Sequence, residues 1–314
     1  MSAATTQFPT ATILAYPRIG RQRQLKRALE AYWAGRSSET ELLEAASKLR
    51  QENLARLVEL GLGASDASLA DAPSFYDQVL DATVLLGAIP PRFAGREGLD
   101  LYFALARGDE KVGPEEMTKW FDTNYHYLVP EIGPDTPLRF ADDAVTRKFV
   151  QARQWGYVTR PVLVGPLTYL ALAKADPATP DFDPLSRLDE AVAAYEQALA
   201  SLHEAGAPWV QLDEPALTSD NLSHPRAELA KLAVGVYERL AKATNRPQIL
   251  VTTPYGDASQ AVGALAKTGV EAIHVDTLRG SLPKDADLSG VTLVVGAVDG
   301  RYIWRADLAA LRQT

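Results

Sequence analysis

Residues 18–27 carry the densest set of groups able to do chemistry in this chain. Within YPRIGRQRQLKRALEAYW (16–33), five cations, Arg18, Arg21, Arg23, Lys26 and Arg27, lie in a turn after a short apolar run and in the opening of a helix. The whole chain is acidic, with a formal net charge of −8. A helix N-terminus already behaves as a partial positive charge, so cations there are disfavoured unless an anion shares the site. The cluster therefore reads as an anion receptor, and equally as a solvated, cation-rich helix face.

A second set of groups sits where apolar runs end on acids. Asp213 and Glu214 follow WVQL, Asp276 follows AIHV, Asp299 follows VVGAV, and Asp77 follows PSFY. Paired carboxylates can do acid–base work, glycoside hydrolysis being the case to test. Adjacent strand residues point to opposite faces, so Asp213 and Glu214 do not both face one cavity, and one of them anchors a loop or helix. The competing reading makes these acids helix caps or partners of Arg279, Arg301 and Arg305. Of the four histidines, only His126 and His274 fall near strand ends, and no HExxH spacing offers a zinc site. No GxSxG elbow, GxGxxG or GxxxxGK[ST] motif occurs. The segment MTKWFDTNYHYLVPEI sets Trp120, Phe121, Tyr125, His126 and Tyr127 beside Asp122 and Asn124. Such a mixture suits a stacking platform for a flat heterocycle, or a long connection pinned by its aromatic side chains.

The elements that must position these groups follow from apolar periodicity. Nearly all-apolar runs at 11–16, 161–166, 209–215, 248–253, 272–277 and 292–298 read as parallel strands buried on both faces. Amphipathic helices lie between them. One runs from Ser186 with Leu188, Val192, Tyr195, Leu199 and Leu202 on a single stripe and stops near Gly206. Another opens at Ser38 with a capping box to Glu41. This alternation predicts an α/β barrel, with an open doubly wound sheet as the other arrangement of the same pattern. A chain of 314 residues that is 46% hydrophobic can bury a large core. The lack of cysteine excludes disulfides, thiolate nucleophiles and cysteine-ligated metals. MSAATTQFPT lacks the basic and apolar regions of a secretory signal, and no apolar run reaches the ~20 residues of a membrane span. One local basic cluster in an acidic chain argues against duplex DNA. The expectation is a cytoplasmic protein acting on a small molecule.

Several segments together resemble the amino-terminal half of the cobalamin-independent methionine synthases. They are YPRIGRQRQLKRALEAYW, SFYDQVLD with LLGAIPPRF, LDLYFALARG, EMTKWFDTNYHYLVPEI, RPVLVGPLTYL, WVQLDEPAL, IHVDTLRG and VDGRYIWRADL, in family order from about residue 11 to 308. The resemblance implies a single (βα)8-type, TIM-like barrel over 1–314 that lacks its last strand. It also implies a separate carboxy-terminal barrel, absent here, which carries the catalytic zinc and homocysteine. The amino-terminal barrel then holds the glutamate tail of 5-methyltetrahydrofolate polyglutamate, through Arg23, Gln24, Leu25, Lys26 and Lys119, and has no catalytic residue or metal of its own. Its partner would be a zinc-barrel chain or a second copy of itself. The alternative is a free-standing barrel enzyme with a metal-independent activity, its mouth drawn from Asp77, Asp122, Asn124, His126, Asp213, Glu214, His274 and Asp276. Gln24, Pro254 and Tyr302 depart from the residues usual in the family.

Overall fold

The computed structural model describes residues 7–311. Helices α1 (Gln24–Trp33) and α2 (Glu39–Glu59) lead into a short strand, β1 (Leu69–Asp71). Helices α3 (Gln78–Leu86) and α4 (Gly98–Arg107) follow, then strands β2 (Met117–Lys119), β3 (His126–Leu128) and β4 (Glu131–Ile132). The remainder alternates: α5 (Ala144–Gln154), β5 (Thr159–Val164), α6 (Pro166–Leu172), β6 (Lys174–Ala175), α7 (Leu188–Glu204), β7 (Trp209–Asp213), α8 (Arg226–Lys242) and β8 (Gln248–Thr253). Last come α9 (Ser259–Leu265), β9 (Ala272–Asp276), β10 (Thr292–Gly296) and the four-residue α10 (Leu308–Leu311).

Six strands form one parallel sheet in the order β1-β5-β7-β8-β9-β10. The order never reverses along the chain. A doubly wound sheet reverses at a switch point, so this is the curled, singly wound sheet of an α/β barrel, with β1 and β10 as its edges. Two small sheets, β2 with β3 and β4 with β6, flank it.

Side chains alternate across the sheet as the pleat requires. Val210, Leu212, Ile249, Val251, Ile273 and Val275 face the helices and join the main core with α7, which buries Val192, Tyr195, Leu199 and Leu202. Trp209, Leu250 and Ala272 face inward and close the bottom of the barrel around Phe8. Above them lies a polar layer. Arg160, fully buried, donates to Gln211 Oε1 (3.1 Å), Ala67 O (2.7 Å) and Ile13 O (2.8 Å).

Two strand expectations are corrected. Residues 11–16 form no ladder, because Arg160 takes the Ile13 carbonyl and Gln211 Nε2 takes that of Leu14 (3.0 Å). The first strand is instead Leu69–Asp71, too short and too poor in β-branched residues to stand out. Nor is β10 buried on both faces: Val295 is 42% exposed on a helix-free side of the edge strand. The capping box at Ser38 forms as expected, Glu41 N–H donating to Ser38 Oγ (3.2 Å) and Ser38 N–H to Glu41 Oε2 (2.7 Å).

Candidate functional site

A cleft of about 1710 Å³ opens at the C-terminal ends of β5, β7 and β8, where Val164, Asp213, Pro254 and Tyr255 line it. It runs past Arg18, Trp120 and Tyr125 towards Asp81 on α3 and Lys148 on α5. This is the mouth where barrel chemistry is built.

Residues 15–19, which lead into the basic turn, form one wall, while Arg21, Arg23, Lys26, Arg27 and Lys119 lie outside the lining. Gly20, at φ 83°, reverses the chain, and Arg23 N–H donates back to Gly20 O (3.0 Å). Arg23 itself is the N-cap of α1 in left-handed conformation (φ 59°), with no side-chain cap and no acidic residue in the first turn. Leu25 anchors the turn by burying its side chain with Leu29. Arg21, Arg23, Gln24, Lys26 and Arg27 are exposed. Lys26 has a half-exposed partner, Glu30, at 3.6 Å. Gln24 Oε1 accepts from Gln22 N–H (2.9 Å). Arg18 leaves the cluster: it donates to Tyr76 O and lies over the Tyr125 ring (5.4 Å).

That contact brings the turn against the β2–β3 hairpin. Tyr125 precedes His126, which pairs across the ladder with Lys119, and both Lys119 and His126 are exposed. Asn124 is exposed at the hairpin tip. The aromatic segment is pinned to the barrel: Trp120 Nε1 donates to Tyr255 OH (3.2 Å), and Phe121 stacks on Tyr255 at 6.2 Å. Phe121 and Tyr255 both hold positive φ, 44° and 75°. Bulky residues seldom occupy that region, so their mutual packing holds the strained loop.

The acids expected at the mouth have mostly structural work. Asp77 is fully buried and caps α3, accepting from Val79 N–H (2.8 Å), Leu80 N–H (2.9 Å) and Leu128 N–H (3.2 Å). Burial pushes its carboxyl up to about 7, against the pull of those amides. Glu214 is also fully buried and caps α6 through Leu167 N–H (3.3 Å) and Thr168 N–H (2.7 Å), while accepting from Tyr237 OH (2.7 Å). Gly165 permits this, since a Cβ there would lie 2.1 Å from Glu214 Oε1. Burial raises Glu214 to about 7. Asp276 accepts from Tyr255 N–H (3.1 Å), Leu278 N–H (2.9 Å) and Arg279 N–H (3.1 Å), which fixes two loops. Asp122 pairs with Arg279 (2.5 Å) and Arg301 (3.2 Å), and these bonds hold its carboxyl below the usual range. His274 is 4% exposed, its Nε2 side against Gly296, and burial lowers it to about 4, so it is a neutral core histidine.

Asp213 is the exception among these acids. Its Oδ1 accepts from Thr252 Oγ1 (2.6 Å) and Gln211 Nε2 (2.7 Å), and it lines the cleft. Burial raises its pKa. The two neighbours therefore point apart as strand alternation demands, Asp213 to the mouth and Glu214 to the helix layer. As mouth residues, Asp77, Glu214 and His274 are corrected to buried supports. Asp122, Asn124, His126 and Asp276 stay near the rim but outside the lining of the cleft. Residues not singled out from the sequence include Tyr255, Asp81 and the buried pair Arg50–Asp71, whose Arg50 Nε donates to Asp71 Oδ1 at 3.1 Å. Of these, Tyr255 could have been found as the aromatic two residues after the end of a strand. Among the described residues no three His, Cys, Asp or Glu side chains are grouped to hold a metal ion. No helix there is long and apolar enough to cross a membrane.

Comparison with known proteins adds the lineage. Residues 10–314 match the description "Cobalamin-independent synthase, N-terminal domain". The 5-methyltetrahydropteroyltriglutamate–homocysteine methyltransferase of Mycobacterium bovis (strain BCG / Pasteur 1173P2) is 48% identical over 305 residues, 96% of this chain and 39% of that protein. The proteins of the same name from Rhodococcus jostii and Streptomyces coelicolor are 47% and 45% identical, again over 39% of their length. The chain thus spans about two-fifths of the curated relatives it matches. Among solved structures, a B12-independent methionine synthase from Shewanella sp. W3-18-1 superposes with TM-score 0.57 at 15% identity, covering 83% of this chain and 72% of that one. A Listeria monocytogenes protein described as a vitamin-B12-independent methionine synthase gives TM-score 0.60 at 15% identity, over 98% and 86%. At that identity these likenesses speak to the fold alone. The sequence matches go further, and the chain belongs to the cobalamin-independent synthase family, where it corresponds to the N-terminal domain.

Proposed function

We propose that this chain is the folate-holding domain of a cobalamin-independent methionine synthase. In that reading it binds the polyglutamate tail of 5-methyltetrahydropteroyltriglutamate so that the methyl group can pass to homocysteine, giving methionine. Arg23, Lys26 and Lys119 meet the tail carboxylates, Gln24 donates beside them, and Leu25 sets the turn from within the core. The observation that carries the reading is the start of α1. There, a helix N-terminus without acidic residues or a side-chain cap is ringed by exposed cations in an acidic protein. Linked glutamates supply the several carboxylates that such a surface lacks. Lys119 joins the same receptor because the Arg18–Tyr125 contact seats its hairpin against the turn.

In this reading the thiol-activating zinc belongs to a carboxy-terminal barrel. With no cysteine in the chain and no metal-ligand cluster among the described residues, the donors here do not fit it. The chain's own part is to bind and orient the folate. A mouth enzyme drawing on Glu214, Asp77 or His274 is not favoured, since those side chains are committed to caps and packing.

The test is a titration with the triglutamate and monoglutamate forms of 5-methyltetrahydrofolate. Exposed cation–carboxylate contacts contribute about 0.5–1 kcal/mol each, so Arg23→Ala with Lys26→Ala should weaken the triglutamate roughly 5–30-fold. The monoglutamate should change little, and added salt should act with the same selectivity. Equal losses for the two ligands would make the cluster a solvated helix face.

A further inference from the structure

The half-buried arginines of this chain are paired with acids, except for one at the edge of the cleft. Arg96, Arg187, Arg226, Arg239 and Arg246 each have an Asp or Glu partner. Arg18, equally half-buried, makes no ion pair among the described residues. It is nonetheless held in place, since Nη2 donates to Tyr76 O and the guanidinium lies over the Tyr125 ring. Its other N–H groups have no acceptor among the described residues. Asp81 on α3, which feels its charge, is bonded to Tyr102 OH (2.8 Å) instead. A guanidinium drawn partly out of water without a counter-ion is costly until an anion completes it, and its planar fork suits a carboxylate.

We infer that Arg18 binds the carboxylate of the first glutamate of the folate, the one joined to the pteroyl group, and that the rest of the tail leaves the cleft over α1. This assignment rests on the folate reading and gives the ligand its direction. Arg18 lines the cleft, whereas Arg23, Lys26 and Lys119 lie outside it. A ligand that touches both Arg18 and the start of α1 must therefore enter the cleft by one end. The cleft is lined by Asp81 and Asp213, so it disfavours the end that carries several carboxylates. Trp120 and Tyr125 line it as well, and their rings suit a flat pteroyl group. The outer glutamates then fall to the exposed cations.

The test is a calorimetric titration of the 314-residue chain with the monoglutamate and triglutamate forms of 5-methyltetrahydrofolate. Arg18→Gln should weaken both ligands by the same factor, about 10–100-fold, because both carry the first glutamate. Arg18→Lys keeps the charge without the fork and should recover part of the loss. It also carries the comparison should Arg18→Gln lose its cooperative thermal unfolding. Tyr125→Leu removes the ring beneath Arg18 and loosens the hairpin that bears Lys119, so its loss should be larger for the triglutamate. If Arg18 merely seats that hairpin, its own variants will also weaken the triglutamate alone, and the assignment is overturned. Unchanged monoglutamate affinity in Arg18→Gln overturns it too, and leaves the folate reading intact where Arg23→Ala with Lys26→Ala still selects against the triglutamate. A native chain that binds neither ligand overturns both.

Discussion

Glu115 should make the stability of this domain fall steeply as pH rises through neutrality. It lies in the connection between α4 and β2, is 3% exposed, and neither carboxyl oxygen has a hydrogen-bond partner among the described residues. Its backbone N–H bonds to Leu105 O (2.9 Å), which holds the side chain inside. Burial, with the charges of Glu131 and Asp77 adding to it and Arg92 opposing, raises its pKa from 4.5 to about 8. The proton is therefore bound more tightly by the folded than by the unfolded chain. Stability from this group is complete below the unfolded value and is lost as pH rises through the folded one. At about 1.4 kcal/mol per pH unit, the loss is about 3 kcal/mol by pH 7 and about 4 kcal/mol by pH 8, levelling off near 5 kcal/mol above that. For a domain of ordinary stability, about 5–15 kcal/mol, that is a large share. Glu115→Gln keeps the shape and removes the titration, although it adds an amide that also lacks a partner. Its unfolding free energy should be lower than wild type at pH 5 and higher at pH 9, so the two curves cross. Urea denaturation at half-unit pH steps measures this. Parallel curves would mean that Glu115 is ionised and solvated in the folded state, and the reasoning would fail.

Glu214→Ala should cost about 3 kcal/mol in urea unfolding, because it leaves two amides at the start of α6 and the Tyr237 hydroxyl unsatisfied in the core; Glu214→Gln, which keeps an acceptor, should cost less. A smaller loss for the alanine than for the glutamine variant would contradict the capping role. Arg160→Met should destabilise by several kcal/mol through the stranded carbonyls of Ala67 and Ile13, and should expose residues 7–16 to limited proteolysis before the rest of the chain. Unchanged cleavage kinetics would show that other contacts hold this segment.

How legible this was in the sequence depends on whether the deciding interactions were local. The strands at 209–213, 248–253 and 272–276 could be read because each is flanked on both sides, so the apolar run is continuous. The helix from Leu188 and the Ser38 capping box are likewise local patterns. Residues 11–16 misled for the opposite reason. Their composition is that of a strand, but Arg160 and Gln211, remote in sequence, compete successfully for the carbonyls a ladder would use. The basic cluster was visible as charge, yet the departure of Arg18 to Tyr125 required the hairpin to be in place. The opposite orientations of Asp213 and Glu214 followed from alternation alone; which of them faced the cleft did not, because it turns on Gly165 leaving room for Glu214.

The fate of the strand-end acids connects these points to function. A barrel mouth rich in carboxylates suggests acid–base chemistry, but that work requires a side chain able to meet a ligand. Asp77 and Glu214 each receive three donors within the fold, and Asp276 receives three backbone amides. Asp122 is held by two arginines. The negative charge at the mouth is thus largely spent on caps and loop anchors, and these fix the β2–β3 hairpin and the loop after β8 in position. The cations of α1 have the reverse character. Apart from the weak Lys26–Glu30 pair, the turn from Arg21 to Arg27 is exposed, uncapped and held rigid from beneath by Leu25 and Leu29. Fixed acids and available cations are what the proposed polyanionic ligand would require, and they account for a mouth that keeps its shape while its acids are bound up in structure.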